Sequence, residues 1–158
     1  KDARENVFET ILAPMTGTAV AITEVPDPIF IEKILGDGVA IVPTEGKVVS
    51  PVDGTVSKVA ETGHIYAVTS DNGVEVVIHV GLETVALNGK CFQIHVKEGD
   101  KVKAGDLLAD VDLEFIKETG RNSITPIVIG SSLEGKELVC EEGEVQAGKT
   151  VIIEIKQK

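Results

Sequence analysis

The chain has 158 residues, enough for one domain, and 42% of them are hydrophobic while only 3% are aromatic, so a sizeable core must be built from Val, Ile, Leu and Ala. A formal net charge of −11 argues against a nucleic-acid backbone or an anionic membrane surface as partner and favours a basic protein. No apolar run reaches the length of a membrane span and no signal-peptide pattern opens the chain; Cys91 and Cys140 are too few for a disulfide framework, which points to a reduced, cytoplasmic protein.

In chain order, residues 1–6 are polar and read as a flexible N-terminal extension or linker remnant. The opening KDARENV lacks an initiator Met, as a piece trimmed or excised from something longer would. Residues 7–158 read as a single domain. ETILAPMTGTAVAI (9–22) is strand-like, and EVPDPIFIEKILGDG (24–38), with Pro26 and Pro28 at its start, reads as a loop with a helical turn. Strand-like stretches then alternate with turn signals through GDGVAIVPTEGKVVSPVDGTVSKVA (36–60), HIYAVTSDNGVEVVIHVG (64–81) and GDKVKAGDLLADVD (99–112). Asp37-Gly38, Asp53-Gly54 and Asn72-Gly73 lie between such runs, and these dipeptides tolerate the positive φ of tight hairpins. Residues 112–120 form a short helix, with Asp112 as N-cap and Gly120 as stop. VKEGDKVKAGDLL (96–108) and VCEEGEVQAGKTV (139–151) are weakly repeated and read as turn chemistry. The pattern predicts an all-β antiparallel sandwich or barrel with Greek-key-like connections and at most two short helices.

VEVVIHVG (74–81) carries a histidine in an apolar strand, where an imidazole is costly unless it is used. Alternation puts Val76, Ile78 and Val80 on one face, the core, and Glu75, Val77, His79 and Gly81 on the other. Thr62, His64 and Tyr66 share a spacing of two, and a hairpin reversing between Asp71 and Asn72 would set His64 directly opposite His79. A lone strand histidine is more often a hydrogen-bonded structural residue, which is the reading for His95; two brought together by a hairpin point to a site. A neutral imidazole is a nucleophile for phosphorus, a second can donate a hydrogen bond to a phosphoryl oxygen, and a Thr hydroxyl can hold that ring's tautomer. Zinc would need at least a third protein ligand.

PDPIFIEKILGDGVAIVP, SPVDGTVSKVAETGH, VIHVGLETVALNG and TPIVI, in this order, resemble the glucose-type enzyme IIA domain of the bacterial phosphoenolpyruvate-dependent sugar phosphotransferase system. The resemblance runs from about Pro14 to the C-terminus. It implies a β-sandwich with a shallow apolar depression, no metal and no cofactor. It implies that phosphorylated HPr passes its phosphoryl group to His79, which hands it to a cysteine of a IIB domain, in the same chain or another. It implies His64 as phosphate stabiliser, Thr62 as its hydrogen-bond partner, and the Gly81 carbonyl as the group orienting His79. Asp37 and Glu83 match rim carboxylates that receive arginine from HPr, although an Asp-Gly turn explains Asp37 equally well. Val39, Tyr66, Val77 and Val85 would supply apolar contact surface, with core packing as the competing use of the valines. Glu83 stands where the family commonly has Asp, Ala60 where several members have Phe, and Cys91 where Gly is frequent; both cysteines read as structural.

Two other classes fit less well. A lysostaphin-type zinc hydrolase needs HxxxD and HxH patterns, whereas His79 is followed by Val80-Gly81 and His64 has Val68 four residues on. A lipoyl or biotinyl carrier needs a lysine flanked by methionines, and Met15 has no adjacent lysine. Phosphorylation would also change the charge of the docking face, so binding of other proteins by the unmodified form is compatible with the relay.

Overall fold

A computed structural model describes residues 6–158; of the expected N-terminal extension, residues 1–5 lie outside the described part, and Asn6 is exposed. The strands are β1 (Val7–Leu12), β2 (Gly17–Ala21), β3 (Gly38–Pro43), β4 (Lys47–Val49), β5 (Gly54–Val59), β6 (Ile65–Ser70), β7 (Glu75–His79), β8 (Phe92–Ile94), β9 (Lys101–Val102), β10 (Leu107–Val111), β11 (Thr125–Ile129), β12 (Lys136–Cys140), β13 (Gly143–Val145) and β14 (Val151–Gln157). They form an 8-stranded sheet, β13-β2-β3-β11-β7-β6-β5-β9, and two 3-stranded sheets, β1-β14-β12 and β4-β10-β8. The pairings are antiparallel throughout the described residues. The core is aliphatic, as the composition requires: Ile11, Met15, Val76, Ile78, Leu108, Ile127 and Ile153 have no exposed surface. Each such side chain contributes about 1.5–3 kcal/mol by leaving water.

Both helices follow their caps. Asp27 accepts from the Ile29 amide at 3.0 Å and Pro28 starts α1 (Pro28–Ile31), which buries Phe30. Asp112 accepts from the Phe115 amide at 3.0 Å at the start of α2 (Leu113–Glu118), whose Ile116 plugs into the main core. Gly120, at φ +78°, closes it.

The 96–108 and 139–151 repeats belong to a larger internal duplication. APMTGT (13–18) and SPVDGT (50–55) occupy equivalent places: Leu12 N donates to Pro51 O at 3.0 Å and Val49 N to Pro14 O at 2.8 Å, a reciprocal pair. Ala147 N donates to Thr16 Oγ1 at 3.0 Å and Ala104 N to Asp53 Oδ1 at 2.8 Å, so each repeat's Ala-Gly turn clasps one of these segments. Gly17 and Gly54 each press on a neighbouring strand; a Cβ there would lie 2.1 Å from Val42 O or from Thr69 O respectively.

Of the three expected Gly turns, only Asn72-Gly73 is a hairpin, with Gly73 at φ +88°. Gly38 and Gly54 instead begin strands, and both are required by close backbone approach; at Gly38 a Cβ would sit 1.9 Å from Ile127 O. The hairpin itself has a three-residue loop. Ser70 N donates to Val74 O at 2.8 Å, and Ser70 Oγ accepts from the Val74 amide at 3.1 Å. An odd loop shifts the register by one residue from the expected one: Ile65, not His64, pairs with His79, and Tyr66 pairs with Ile78.

Candidate active site

β7 lies in the large sheet between β6 and β11, and one face of these strands meets the α1 segment. On that face is a groove of about 390 Å³, walled by Leu35, Ile65, Val77, Val128 and the His79 ring, with Lys58 and Glu75 as its charged lining. Alternation along β7 holds as expected: Val76, Ile78 and Val80 are fully buried, while Glu75, Val77 and His79 are half-buried on the groove side. Phe30 meets the His79 ring edge-on, with centroids 5.2 Å apart and planes at 75°. Phe30 itself is rooted in a small cluster with Ile22, Val25, Ala40, Ile124 and Val128, against which Val77 and Leu82 pack.

His64 stands at the end of a bend immediately ahead of β6. The bend closes through Gly63 N to Ala60 O at 2.8 Å, with Gly63 at φ +75°, and the His64 carbonyl accepts from Val80 N at 2.8 Å. Thr62 Oγ1 lies 2.5 Å from His64 Nδ1. The slip sets His64 opposite Val80, with Ile65 in the place expected for His64, and the two imidazoles remain close enough for His64 to lower the His79 pKa. Burial first, then the charges of His64 and Lys58, push the His79 imidazole down to about 4. His64 is lowered as well, by burial first and Lys58 second. Both rings are thus neutral at pH 7, with a lone pair available on each.

Neither ring nitrogen of His79 has a hydrogen-bond partner among the described residues, so the expected bond to the Gly81 carbonyl is not formed here. Gly81 instead turns the chain out of β7, at φ +75° and with a Cβ position only 2.6 Å from Thr84 Cγ2. Thr84 Oγ1 donates to Val80 O at 2.5 Å and Leu82 N to Asn122 O at 2.8 Å, fixing that turn. Glu83 follows, exposed and at φ +60°, and its carbonyl accepts from Arg121 Nε at 3.1 Å. Val85 is exposed beside it. Asp37 caps its own turn, accepting from Gly38 N at 2.8 Å, and pairs with Lys33 at 3.4 Å.

Two expected contact residues are corrected. Tyr66 and Val39 have no exposed surface and belong to the main core. The register slip turns Tyr66 inward, and Val39 sits on a strand covered on both faces. The buried Tyr66 hydroxyl has no hydrogen-bond partner among the described residues, and burial raises its pKa. His95 is structural as expected, with Nε2 2.8 Å from Asp110 Oδ2. The Cys91 thiol is raised by burial, and that of Cys140 is pushed up to about 11, so both stay protonated. Among the described residues, no group of three or more His, Cys, Asp and Glu side chains converges as a metal site would require. Phe30, Leu35, Ile65 and Lys58 join the site without having been expected there; an Asp-Pro cap followed by apolar residues hints at the first two, whereas nothing local marks the other two.

A family model of the phosphoenolpyruvate-dependent sugar phosphotransferase system, EIIA 1, matches residues 9–134. The chain belongs to this EIIA family. The glucose-specific EIIA component of Bacillus cereus is 47% identical over 151 residues, 95% of this chain and 92% of that one. The N-acetylglucosamine-specific EIICBA component of Klebsiella pneumoniae is 42% identical over 157 residues, which cover 99% of this chain and 24% of that longer one. The solved structure of glucose permease IIA from Mycoplasma capricolum matches this EIIA fold with a TM-score of 0.86 at 36% identity, over 92% of this chain and 94% of the other. An EIIA chain is a phosphotransferase of a phosphohistidine relay, working between HPr and a IIB domain.

Proposed function

We propose that His79 is the phosphoryl acceptor of this EIIA chain and His64 the residue that steadies the phosphoryl group. The observation that carries this reading is a neutral, half-buried imidazole on an apolar groove, beside a second imidazole tied to a hydroxyl. Proton placement follows from that tie. For His64 to donate through Nε2–H to a phosphoryl oxygen, its Nδ1 must accept from Thr62 Oγ1–H. The His79 lone pair attacks phosphorus as the N–P bond of the HPr phosphohistidine breaks, its electron pair staying on the donor nitrogen. A donor ring protonated on its other nitrogen leaves as neutral imidazole, and His79, keeping its own N–H, becomes the cationic phosphoimidazole. Onward transfer repeats the step with the IIB cysteine thiolate as nucleophile.

Phe30 holds the His79 ring by edge-to-face packing, and the apolar walls exclude water that would hydrolyse the phosphoramidate. Asp37 and Glu83 serve as rim carboxylates for arginine on HPr, and Val77, Val85 and Leu35 as apolar contact. The similarity to glucose and N-acetylglucosamine systems supports a hexose of that kind as the transported sugar. The chain works in the cytoplasm, free or at the inner face of the membrane where a permease carries it, as the longer EIICBA relative does. Incubation with phosphorylated HPr should add one acid-labile, base-stable phosphate. His79→Gln should abolish it, and His64→Gln should permit labelling but block or slow transfer to IIB. Normal labelling of His79→Gln would refute the assignment.

A further inference from the structure

β5 carries a bulge that decides where one lysine stands. Val56 pairs with Val68 and points into the core, but the next pair is Lys58 with Ala67, so Ser57 is the extra residue. Without the bulge, alternation would put Lys58 on the core side with Val56; with it, Lys58 joins the groove face, in a cross-strand row with Ala67 and Val77. Lys58 lines the groove that holds His79. Its ammonium has no carboxylate within ion-pair reach among the described residues, whereas Lys33 is taken by Asp37 and Arg121 by the Glu83 carbonyl.

Phosphorylation brings a dianionic group onto this face of a chain whose formal net charge is already −11. His64 can offer a hydrogen bond but, being neutral, no charge. Glu75 lies in the same groove and would repel the group. We propose that Lys58 is the counter-cation of the phosphorylated state, its ammonium closing onto the phosphoryl oxygens carried by His79. This rests on His79 being the acceptor. Lys58 already depresses the protonation of both imidazoles, so its charge is felt where the phosphoryl group would sit.

The proposal differs from a docking role in one thermodynamic respect. A residue that only helps HPr to bind speeds forward and reverse transfer equally, leaving the equilibrium between phospho-HPr and the phosphorylated chain untouched. A counter-cation stabilises one end state and shifts that equilibrium. The test is to mix HPr, phospho-HPr and Lys58→Met or Lys58→Arg to equilibrium, and to quantify both phosphoproteins by native gel or phosphorus NMR. Lys58→Met should lower the equilibrium constant for phosphorylation by roughly tenfold, the size of one partly screened contact between unit charges. Lys58→Arg should restore it to within about twofold, since the charge is retained. An unchanged equilibrium constant in Lys58→Met, with both rates reduced together, would overturn the proposal, as would failure of Lys58→Arg to restore the constant. Lys58 is exposed, so both variants are expected to fold. A wild-type chain that takes no phosphate from HPr would instead remove the acceptor reading, and this proposal with it.

Discussion

His79 is neutral at pH 7 because of where β7 and Phe30 put it, and that has a measurable sign. Its pKa in the fold, about 4, lies below the ordinary 6.5. Between those values the unfolded chain binds a proton that the folded chain refuses, so this residue's share of stability is present above pH 6.5 and is lost as pH falls toward 4. The wild-type denaturation midpoint should therefore drop more steeply than that of His79→Gln between pH 7 and 4.5. Phe30→Ala opens one wall of the ring's enclosure, and an NMR titration of His79 should find its midpoint raised toward 6.5. A midpoint left near 4 would show that Phe30 contributes nothing to the desolvation. Whereas the expected pairing of His64 with His79 misses by one residue, the contact of Thr62 with His64 and the buried face of β7 are legible in the sequence, through a spacing of two and strict alternation. Lys58 is not, since a bulge moves a side chain to the other face without leaving a residue type that announces it. Tyr66 reads as a groove residue and proves to be core for the same kind of reason, one residue of register.

At the scale of elements, caps and turn residues are readable while pairing is not. Asp27 and Asp112 mark their helices through side-chain chemistry that needs no tertiary partner. The Gly dipeptides look alike in sequence, yet only Gly73 uses a left-handed conformation; Gly38 and Gly54 are required by a backbone carbonyl on the strand alongside, which no local pattern reveals. The distinction predicts different costs. A Cβ at Gly73 would meet nothing within 4 Å, so Gly73→Ala should cost only the left-handed strain, about 1 kcal/mol by chemical denaturation. A Cβ at Gly54 would sit 2.1 Å from Thr69 O, across the pair that sets the start of β5. Gly54→Ala must push two strands apart and should cost more than about 3 kcal/mol, or prevent folding. Equal, small costs at both positions would mean that the sheet yields at Gly54 more readily than its close packing implies.

For the whole molecule, the sheets and their aliphatic core form the platform for one face where charge and apolar surface adjoin and where the proposed acceptor stands. Ile34 is 67% exposed, with Leu35 and Ile29 also uncovered on the α1 segment and Val85 uncovered beside Glu83. Such a cluster near the proposed acceptor His79 suits a partner that docks briefly, with apolar contact setting affinity and charge setting encounter. These two contributions separate experimentally. The acidity of the chain should make its association with HPr depend on ionic strength, because screening acts within about 10 Å at 0.1 M salt. Raising the salt should lower kcat/KM for phosphoryl transfer from phospho-HPr. Asp37→Asn, which removes a rim carboxylate, should flatten that salt dependence while leaving the rate at high salt nearly unchanged. Ile34→Ser should do the reverse, raising KM several-fold at every salt concentration with the slope preserved, because roughly 1–2 kcal/mol of apolar contact carries no charge. If Ile34→Ser changes the slope and Asp37→Asn does not, the docking face has been assigned the wrong way round.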